Sequence, residues 1–394
     1  MDLDSQQHDG KQRGVAIIGS TGSIGAQTLE VIEHHPEHFN VVALCGASNL
    51  PLLAEQAHRH HPELIVTQDI GDSDVAFPAR SRRSAGQAGL IEAATHPDAD
   101  IVVVASAGHS AIEPTIEAIK LGRTIALANK ESIVCAGSLI IPLARKTGAA
   151  IHPVDSEHSA IWQSLDRGSP VISRVILTAS GGPFLHVPID ELEGVTIEQA
   201  LRHPTWKMGG KITIDSATMM NKGLEIIEAH WLFGIDYTKI DVVVHPESIV
   251  HSIVEYEDSS QVAQLSLPDM RLPIQYALTF PLRLTGPCKQ LNLQDIRSLT
   301  FLPLDLDRFP ALRLAREAGI AGNSYPTVLS AADEVAVEAF LGGAIGFTGI
   351  VEIVQRTLDA HLPVEIDSLD TLRSVDTWSR RQATALVRGR QGLA

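Results

Sequence analysis

Gly14-Val-Ala-Ile-Ile-Gly-Ser-Thr-Gly-Ser-Ile-Gly25 is the stretch that decides the fold. A short apolar run leads into glycines at every third position and then into a helical pattern, which reads as a buried strand turning into a helix around a phosphate. Gly19 permits the tight turn, Gly22 lets backbone approach a pyrophosphate, and Gly25 allows close packing of helix on sheet. The spacing is GxxGxxG, so the reading rests equally on the pattern downstream. Apolar strands at Val41–Cys45, Leu64–Thr67, Ile101–Val104, Thr124–Ala128 and Ala150–Val154 alternate with helical stretches. That rhythm predicts an α/β fold with an N-terminal Rossmann-like, doubly wound parallel sheet over residues 1–154.

The second strand ends in Gly46-Ala-Ser-Asn49. An acid here would bond the ribose hydroxyls of NAD and repel a 2'-phosphate. None is present, and Ser48 and Asn49 can bond a phosphate, so NADP(H) is favoured even without a basic residue.

Chemistry collects where the last strands end. Leu127-Ala-Asn-Lys-Glu-Ser132 places Asn129, Lys130 and Glu131 at one strand's carboxyl edge, and Ile151-His-Pro-Val-Asp-Ser-Glu-His158 places Asp155, Ser156 and Glu157 at the next. Open α/β sheets bind ligands at that edge. Asp155 and Glu157, two residues apart, can turn toward one ion; N-capping of the next helix is the competing reading for them.

A second dense stretch runs from His203 to Glu225. Its first half, His203 to Lys211, holds Trp206, Met208, glycines and lysines, the composition of a loop that closes over an anion. Its second half reads as a helix with Ser216 as N-cap. Thr218, Asn221, Lys222, Glu225 and Glu228 share one face, and Met219, Leu224, Ile227 and Trp231 the other. Hydroxyl, carboxamide and lysine in the first turns suit a phosphate. Glu225 one turn deeper would be repelled by that phosphate unless a cation lay between them. With Asp155 and Glu157 it makes three hard oxygen ligands, a set that favours Mg2+ or Mn2+ over zinc. An ordinary amphipathic helix is the alternative.

Residues 155–282 read as a central α+β catalytic domain with an open-faced sheet. Its strands are expected at Arg174–Ala179, Asp241–His245, Ile249–Tyr256 and Gln261–Leu267, with helices at 216–233 and 271–280 covering one face. Ser180-Gly-Gly-Pro183 is a turn able to hold an anion. His245 and His251, placed on one side of a strand, are read as structural, and His58-Arg-His-His61 as a solvated helix end. Residues 283–310 read as a linker and 311–394 as a small C-terminal helical bundle.

The formal charge of -16 argues against nucleic acid and anionic membrane as partners. A small anionic substrate then needs a local concentration of positive groups, which Lys207, Lys211, Lys222 and His203 supply. Cys45, Cys135 and Cys288 are far apart and read as reduced thiols. The polar opening Met1–Gly10 and the lack of a long apolar run point to a cytoplasmic location.

Taken together, GSTGSIG, ALANKES, PVDSEHSA, LTASGGPF, HPTWKMG, DSATMMNKGLE and LPDMRLP resemble the 1-deoxy-D-xylulose 5-phosphate reductoisomerase family over nearly the whole chain. The resemblance implies a homodimer of three-domain subunits that converts deoxyxylulose phosphate and NADPH to 2-C-methyl-D-erythritol 4-phosphate with a divalent cation. Thr21, Gly22, Ser23 and Ile24, with Asn129, Glu131 and Gly209, would meet the cofactor. Asp155, Glu157 and Glu225 would bind the metal. Ser180, His203, Ser216, Asn221 and Lys222 would hold the substrate's phosphate end, Lys130 and Ser156 would face its hydroxyls and carbonyl, and Trp206 and Met208 would cover it. Ser48 stands where the family often has lysine, and Glu247 where glutamine is expected. Two rival readings are another NADP-dependent dehydrogenase of a small anionic substrate, which would need a catalytic cysteine or a different lysine set, and a non-enzymatic dinucleotide sensor, which would have no use for three carboxylates.

Overall fold

The computed structural model describes residues 12–69, 71, 75–165, 171–206 and 208–391. The polar opening 1–10 and Lys207 lie outside them. The chain forms two compact units, one of Met1–Asn129, Leu143–Val154 and Met270–Cys288, the other of Lys130–Pro142, Asp155–Asp269 and Lys289–Ala394.

In chain order the first stretch runs β1 (Arg13–Ile18), α1 (Ser23–His34), β2 (Phe39–Cys45), α2 (Leu50–His60), β3 (Leu64–Thr67), β4 (Arg82–Ala85), α3 (Gly86–Ala94), β5 (Ile101–Val104), α4 (Ile112–Lys120), β6 (Thr124–Leu127), α5 (Lys130–Thr147) and β7 (Ile151–Pro153). The strands form one parallel sheet in the order β4-β3-β2-β1-β5-β6-β7. Strand order reverses at β1, so the switch point of the sheet lies where the glycine turn leaves that strand. Val15, Ile17, Val103 and Leu44 are fully shielded from solvent in its core, as strands covered on both faces require. The sequence did not foretell β4, because Arg-Arg-Ser-Ala carries no apolar run and occupies an edge.

The chain continues with α6 (Ser156–Ser164), β8 (Ile172–Ala179), α7 (Ile197–Ala200), α8 (Gly210–Thr218), α9 (Met220–Phe233), β9 (Ile240–Val244), β10 (Val250–Tyr256), β11 (Gln261–Leu265) and α10 (Arg271–Thr279). The second sheet is mixed, β11-β10-β8-β9, with β8 parallel to β9 and the other pairs antiparallel. The parallel pair needs a crossover, and that crossover carries α8 and α9. α6 packs on β10 and β11, and α9 on β8 and β9.

Helix α10 does not cover this sheet as expected. It packs on α1, β6 and β7, where Ile274, Ala277 and Leu278 join the core of the first unit. Arg13 donates to Leu278 O, and the buried His152 pairs with Ala277 O at 2.7 Å. The C-terminal helices α11 (Pro310–Ala321), α12 (Tyr325–Leu341), α13 (Phe347–Asp359) and α14 (Leu369–Gln391) group with the second unit, not apart from it. α11 lies along α9 so closely that a Cβ on Gly223 would stand 2.4 Å from the Ala315 methyl.

Candidate active site

The two turns expected to meet the cofactor lie side by side in the first unit. Gly19 has φ of +92°, and a Cβ there would approach Ser106 N to 2.6 Å. A Cβ on Gly25 would be 2.2 Å from Gly19 O. Both glycines are therefore required by the fold itself. Gly22 differs: its added Cβ would come no nearer than 3.4 Å to the atoms around it, so packing within the chain does not call for a bare backbone there. Gly22 is the N-cap of α1, whose first turn opens with Ser23 and Ile24. Gly46, at the neighbouring turn, lies against Thr21, with its hypothetical Cβ 3.0 Å from Thr21 Cγ2. Ser48 is exposed, and Asn49 Oδ1 caps α2 by accepting from Leu52 N at 3.2 Å. Asn129 donates its amide to Ser106 O and Gly108 O at 2.9 and 3.1 Å, fixing the loop after β5. Glu131, in the first turn of α5, is buried.

In the second unit Asp155, Glu157 and Glu225 each turn a carboxylate oxygen to a common point, all ligand atoms within 4.8 Å of one another. Asp155 occupies the N-cap position of α6 but makes no capping bond; its carboxylate turns instead to Lys130. The capping alternative therefore does not hold for it. Lys130 Nζ also lies 3.3 Å from Glu225 Oε1 and from Glu228 Oε2. Lys222 donates to Glu157 at 2.7 Å and to Glu225, Asn221 donates to Glu225, and Ser156 donates to Glu157 at 2.6 Å. Such hard carboxylate donors, Glu225 buried and Asp155 and Glu157 half-buried, fit a divalent cation.

Burial shapes the electrostatics here. It alone would depress the Lys130 ammonium, but Asp155, Glu228 and Glu225 outweigh it and hold Lys130 well above its ordinary range. Burial likewise opposes ionisation of Asp155, and Lys130 overrides it, keeping that carboxyl well below the usual range. Glu225 goes the other way, pushed up to about 7 by burial and by Glu157 despite its two lysines. His158, fully buried, is lifted to about 9: burial lowers it, but Glu228 and Asp155 dominate.

Beside this cluster, Ser180, His203 and Ser216 meet. His203 Nε2 lies 3.1 Å from Ser180 Oγ and 3.0 Å from Ser216 Oγ. Its Nδ1 accepts from Thr205 N and Trp206 N at 3.1 and 2.9 Å, which leaves the ring proton on Nε2. Burial lowers the His203 pKa, consistent with the neutral ring. Gly182, at φ of +65°, lets the Ser180 turn abut α8; a Cβ there would be 2.8 Å from Ser216 O. Trp206 stands edge-on to His251, ring centroids 6.3 Å apart, and His251 feels the charges of Glu157 and Lys222. Met208 is half-buried.

Several expectations are corrected. Ser216 is not an N-cap. The helix starts at Gly210, with Gly209 as its cap, and breaks at Met219, whose φ of +64° separates α8 from α9. Helix α8 persists despite glycine and β-branched residues because Lys211 bridges Asp215 at 2.6 Å and Asp333 of α12 at 2.9 Å. Lys211 is thereby a structural cation and not part of the anion site. Asn221 and Lys222 do open a helix, α9, with their side chains turned to carboxylates. His245 and His251 lie on different elements. His245, at the end of β9, accepts from Ile249 N and Val250 N, both at 3.1 Å, and pairs with Thr300 O at 2.8 Å. Glu247 accepts from Thr300 N at 3.2 Å beside it, the structural role that its sequence left open. His58, in the last turn of α2, pairs with Ala76 O at 3.1 Å.

Sequence reading gave no role to His158 and Glu228. Their signal was faint: Glu228 follows Glu225 by three residues on the same face, and His158 closes the turn that carries Asp155. No described helix is long and apolar enough to cross a membrane.

Comparison with known proteins bears on the family and the fold. The family model "1-deoxy-D-xylulose 5-phosphate reductoisomerase" matches residues 15–137, its C-terminal domain model residues 151–233, and the "DXP reductoisomerase C-terminal domain" model residues 265–382. The 1-deoxy-D-xylulose 5-phosphate reductoisomerase of Thermomicrobium roseum is 54% identical over 95% of this chain and 97% of its own length, and that of Geobacter metallireducens 50% over 95% and 98%. Among solved structures, the Zymomonas mobilis reductoisomerase in complex with NADPH superimposes with a TM-score of 0.87 at 41% identity, covering 96% of this chain and 99% of that one. A DOX-P reductoisomerase with NADPH, fosmidomycin and magnesium gives 0.89 at 40% identity over 95% and 98%.

Proposed function

Because the chain belongs to the 1-deoxy-D-xylulose 5-phosphate reductoisomerase family, we propose that Asp155, Glu157 and Glu225 hold the divalent cation of its reaction and that the β1–α1 turn holds its NADPH. The enzyme isomerises and reduces 1-deoxy-D-xylulose 5-phosphate to 2-C-methyl-D-erythritol 4-phosphate, using NADPH and Mg2+. The convergence of three carboxylates on one point carries the assignment: with Glu228 the acids number four against Lys130 and Lys222, and a dication offsets that excess beside an anion site.

When bound, Mg2+ supplies Lewis acidity toward the substrate's ketone and hydroxyl oxygens, and NADPH supplies the hydride. The protein supplies position and charge. Ser180, His203 and Ser216 offer hydroxyls and a ring N–H to the phosphate, joined by Asn221 and Lys222 as substrate loosens their present bonds to Glu225 and Glu157. Lys130 and Ser156 face the substrate's oxygens, and Trp206 and Met208 cover it and exclude water. Backbone N–H groups in the stretch Thr21 to Ile24 take the pyrophosphate. Gly46, Ser48 and Asn49 meet the 2'-phosphoribose, and Asn129 completes the cofactor's surroundings in the first unit. The uncrowded Gly22 supports this placement.

Mn2+ serves as an alternative cation, since the same oxygen ligands suit both. The working form is a homodimer in the cytoplasm; β11 supports the first, being an edge strand that leaves Val262 and Leu265 exposed. NADPH consumption on adding 1-deoxy-D-xylulose 5-phosphate tests the reading. It should be abolished by EDTA and restored by excess Mg2+; consumption indifferent to EDTA overturns the metal assignment.

A further inference from the structure

Glu228 is buried on α9, outside both the carboxylate trio and the phosphate-holding group. It accepts a hydrogen bond from Lys130, whose Nζ lies 3.3 Å from Glu228 Oε2. Lys130 has two other carboxylate partners, Asp155 and Glu225, and both belong to the cation-binding trio. The lysine ammonium thus rests against two ligands that a dication must claim. Two cations cannot share those oxygens in a buried site, because their repulsion is weakly screened there. Nor can the displaced ammonium be left without a counter-charge. Of its three carboxylate partners, only Glu228 stays available once the trio is occupied.

We propose that Glu228 is a positioning residue that receives the Lys130 ammonium when the divalent cation enters, clearing the metal position while keeping Lys130 beside the substrate. The proposal rests on the trio being the metal site. Asp155, His158 and Glu228 also bring ligand atoms within 4.8 Å of one another, which invites a second metal. The Lys130 ammonium already sits against both of those carboxylates, while His158 faces Asp155 with Nδ1 at 3.7 Å and is held from behind by its Nε2 contact with Glu225 O at 2.9 Å. That corner is accordingly a lysine seat.

Mn2+ alone, titrated into the full-length protein and followed by electron paramagnetic resonance, provides the test without relying on activity. One ion should bind per chain. Glu228→Gln should raise the Mn2+ Kd about tenfold, the scale on which residues behind metal ligands act. The same substitution in a Lys130→Met background should change it only about twofold, because the lysine it governs is gone. Lys130→Met alone should tighten Mn2+ binding, which keeps the idea falsifiable if Glu228→Gln fails to fold. Equal weakening by Glu228→Gln in both backgrounds, no weakening at all, two ions per wild-type chain, or weaker binding by Lys130→Met each overturns the proposal. Glu225→Gln separates it from its premise: if that variant binds Mn2+ normally, the trio itself is misassigned.

Discussion

On the proposed assignment, the glycine turn of the first unit and the carboxylate–lysine cluster of the second would solve the same problem, binding highly charged ligands, by opposite means. The turn uses no charge. It clears space with Gly19 and Gly25 and presents backbone N–H groups, so its cost is conformational and local. The cluster uses almost nothing but charge. Asp155, Glu157, Glu225 and Glu228 face two lysines, Lys130 and Lys222, the six drawn from three helices and a loop and largely withdrawn from water. A backbone site is tuned by sterics, whereas a site of buried charges is tuned by counting partners.

Four tests, using five substitutions, probe that contrast, from the largest expected effect down. Glu225→Gln should cut turnover by at least about 100-fold, since the polarising cation is worth several kcal/mol, yet leave the fold intact; steady-state kinetics and circular dichroism read both. Retained Mg2+ dependence at near-normal rate would break the charge side of the contrast. Gly25→Ala should destabilise by about 1–3 kcal/mol, because its Cβ meets backbone at Gly19 O. Gly22→Ala should spare thermal stability and weaken NADPH binding instead. Equal loss of stability in the two would show that Gly22 is needed by the fold and not by the cofactor.

The third test asks whether buried charge counting extends beyond the site. Burial first, and then Asp333, raise Asp215 well above the ordinary carboxyl range, although Lys211 opposes them. A carboxyl raised in the folded state favours folding below its unfolded value and loses that contribution as pH climbs through its folded value. Asp333→Asn removes that repulsion together with the Lys211–Asp333 bridge, so it should destabilise the protein less at pH 8 than at pH 5. Chemical unfolding at both values checks this, and an equal effect at the two would show that Asp333 does not repel Asp215. The smallest change belongs to the steric side: Ser48→Lys should sharpen preference for NADPH over NADH by a few fold, the scale of an exposed ion pair. An unchanged ratio of kcat/KM values would remove Ser48 from the 2'-phosphate.

The same contrast explains what the sequence made legible. Gly19, Gly22 and Gly25 act within a few residues of one another, so their order along the chain nearly is their geometry. Asp155, Glu157 and Glu225 were readable as a set because their chemistry demanded a cation. Their partners were not, because Lys130, Lys222 and Glu228 choose among neighbours only after α5, α6 and α9 pack. Ser216 misled for a related reason. The break at Met219 needs a positive φ that methionine rarely takes, and the bridge from Lys211 to Asp333 that steadies the preceding helix crosses more than a hundred residues. Helix α10 carried no local sign that it would return to the first sheet.

His203 also sets a limit of reach. Its ring is moored to Ser180 and Ser216 on one side and to the Trp206 backbone on the other. Trp206 lies three residues further on, so its Cα can never swing more than about 11 Å from that of His203, however the backbone turns. Further along, Lys211 is moored to α12. Trp206 is thus on a short leash with both ends tied. On the proposed assignment, a molecule under Trp206 keeps its charged end at the two serines, which would make the length of the substrate, as well as its charge, something the enzyme can measure.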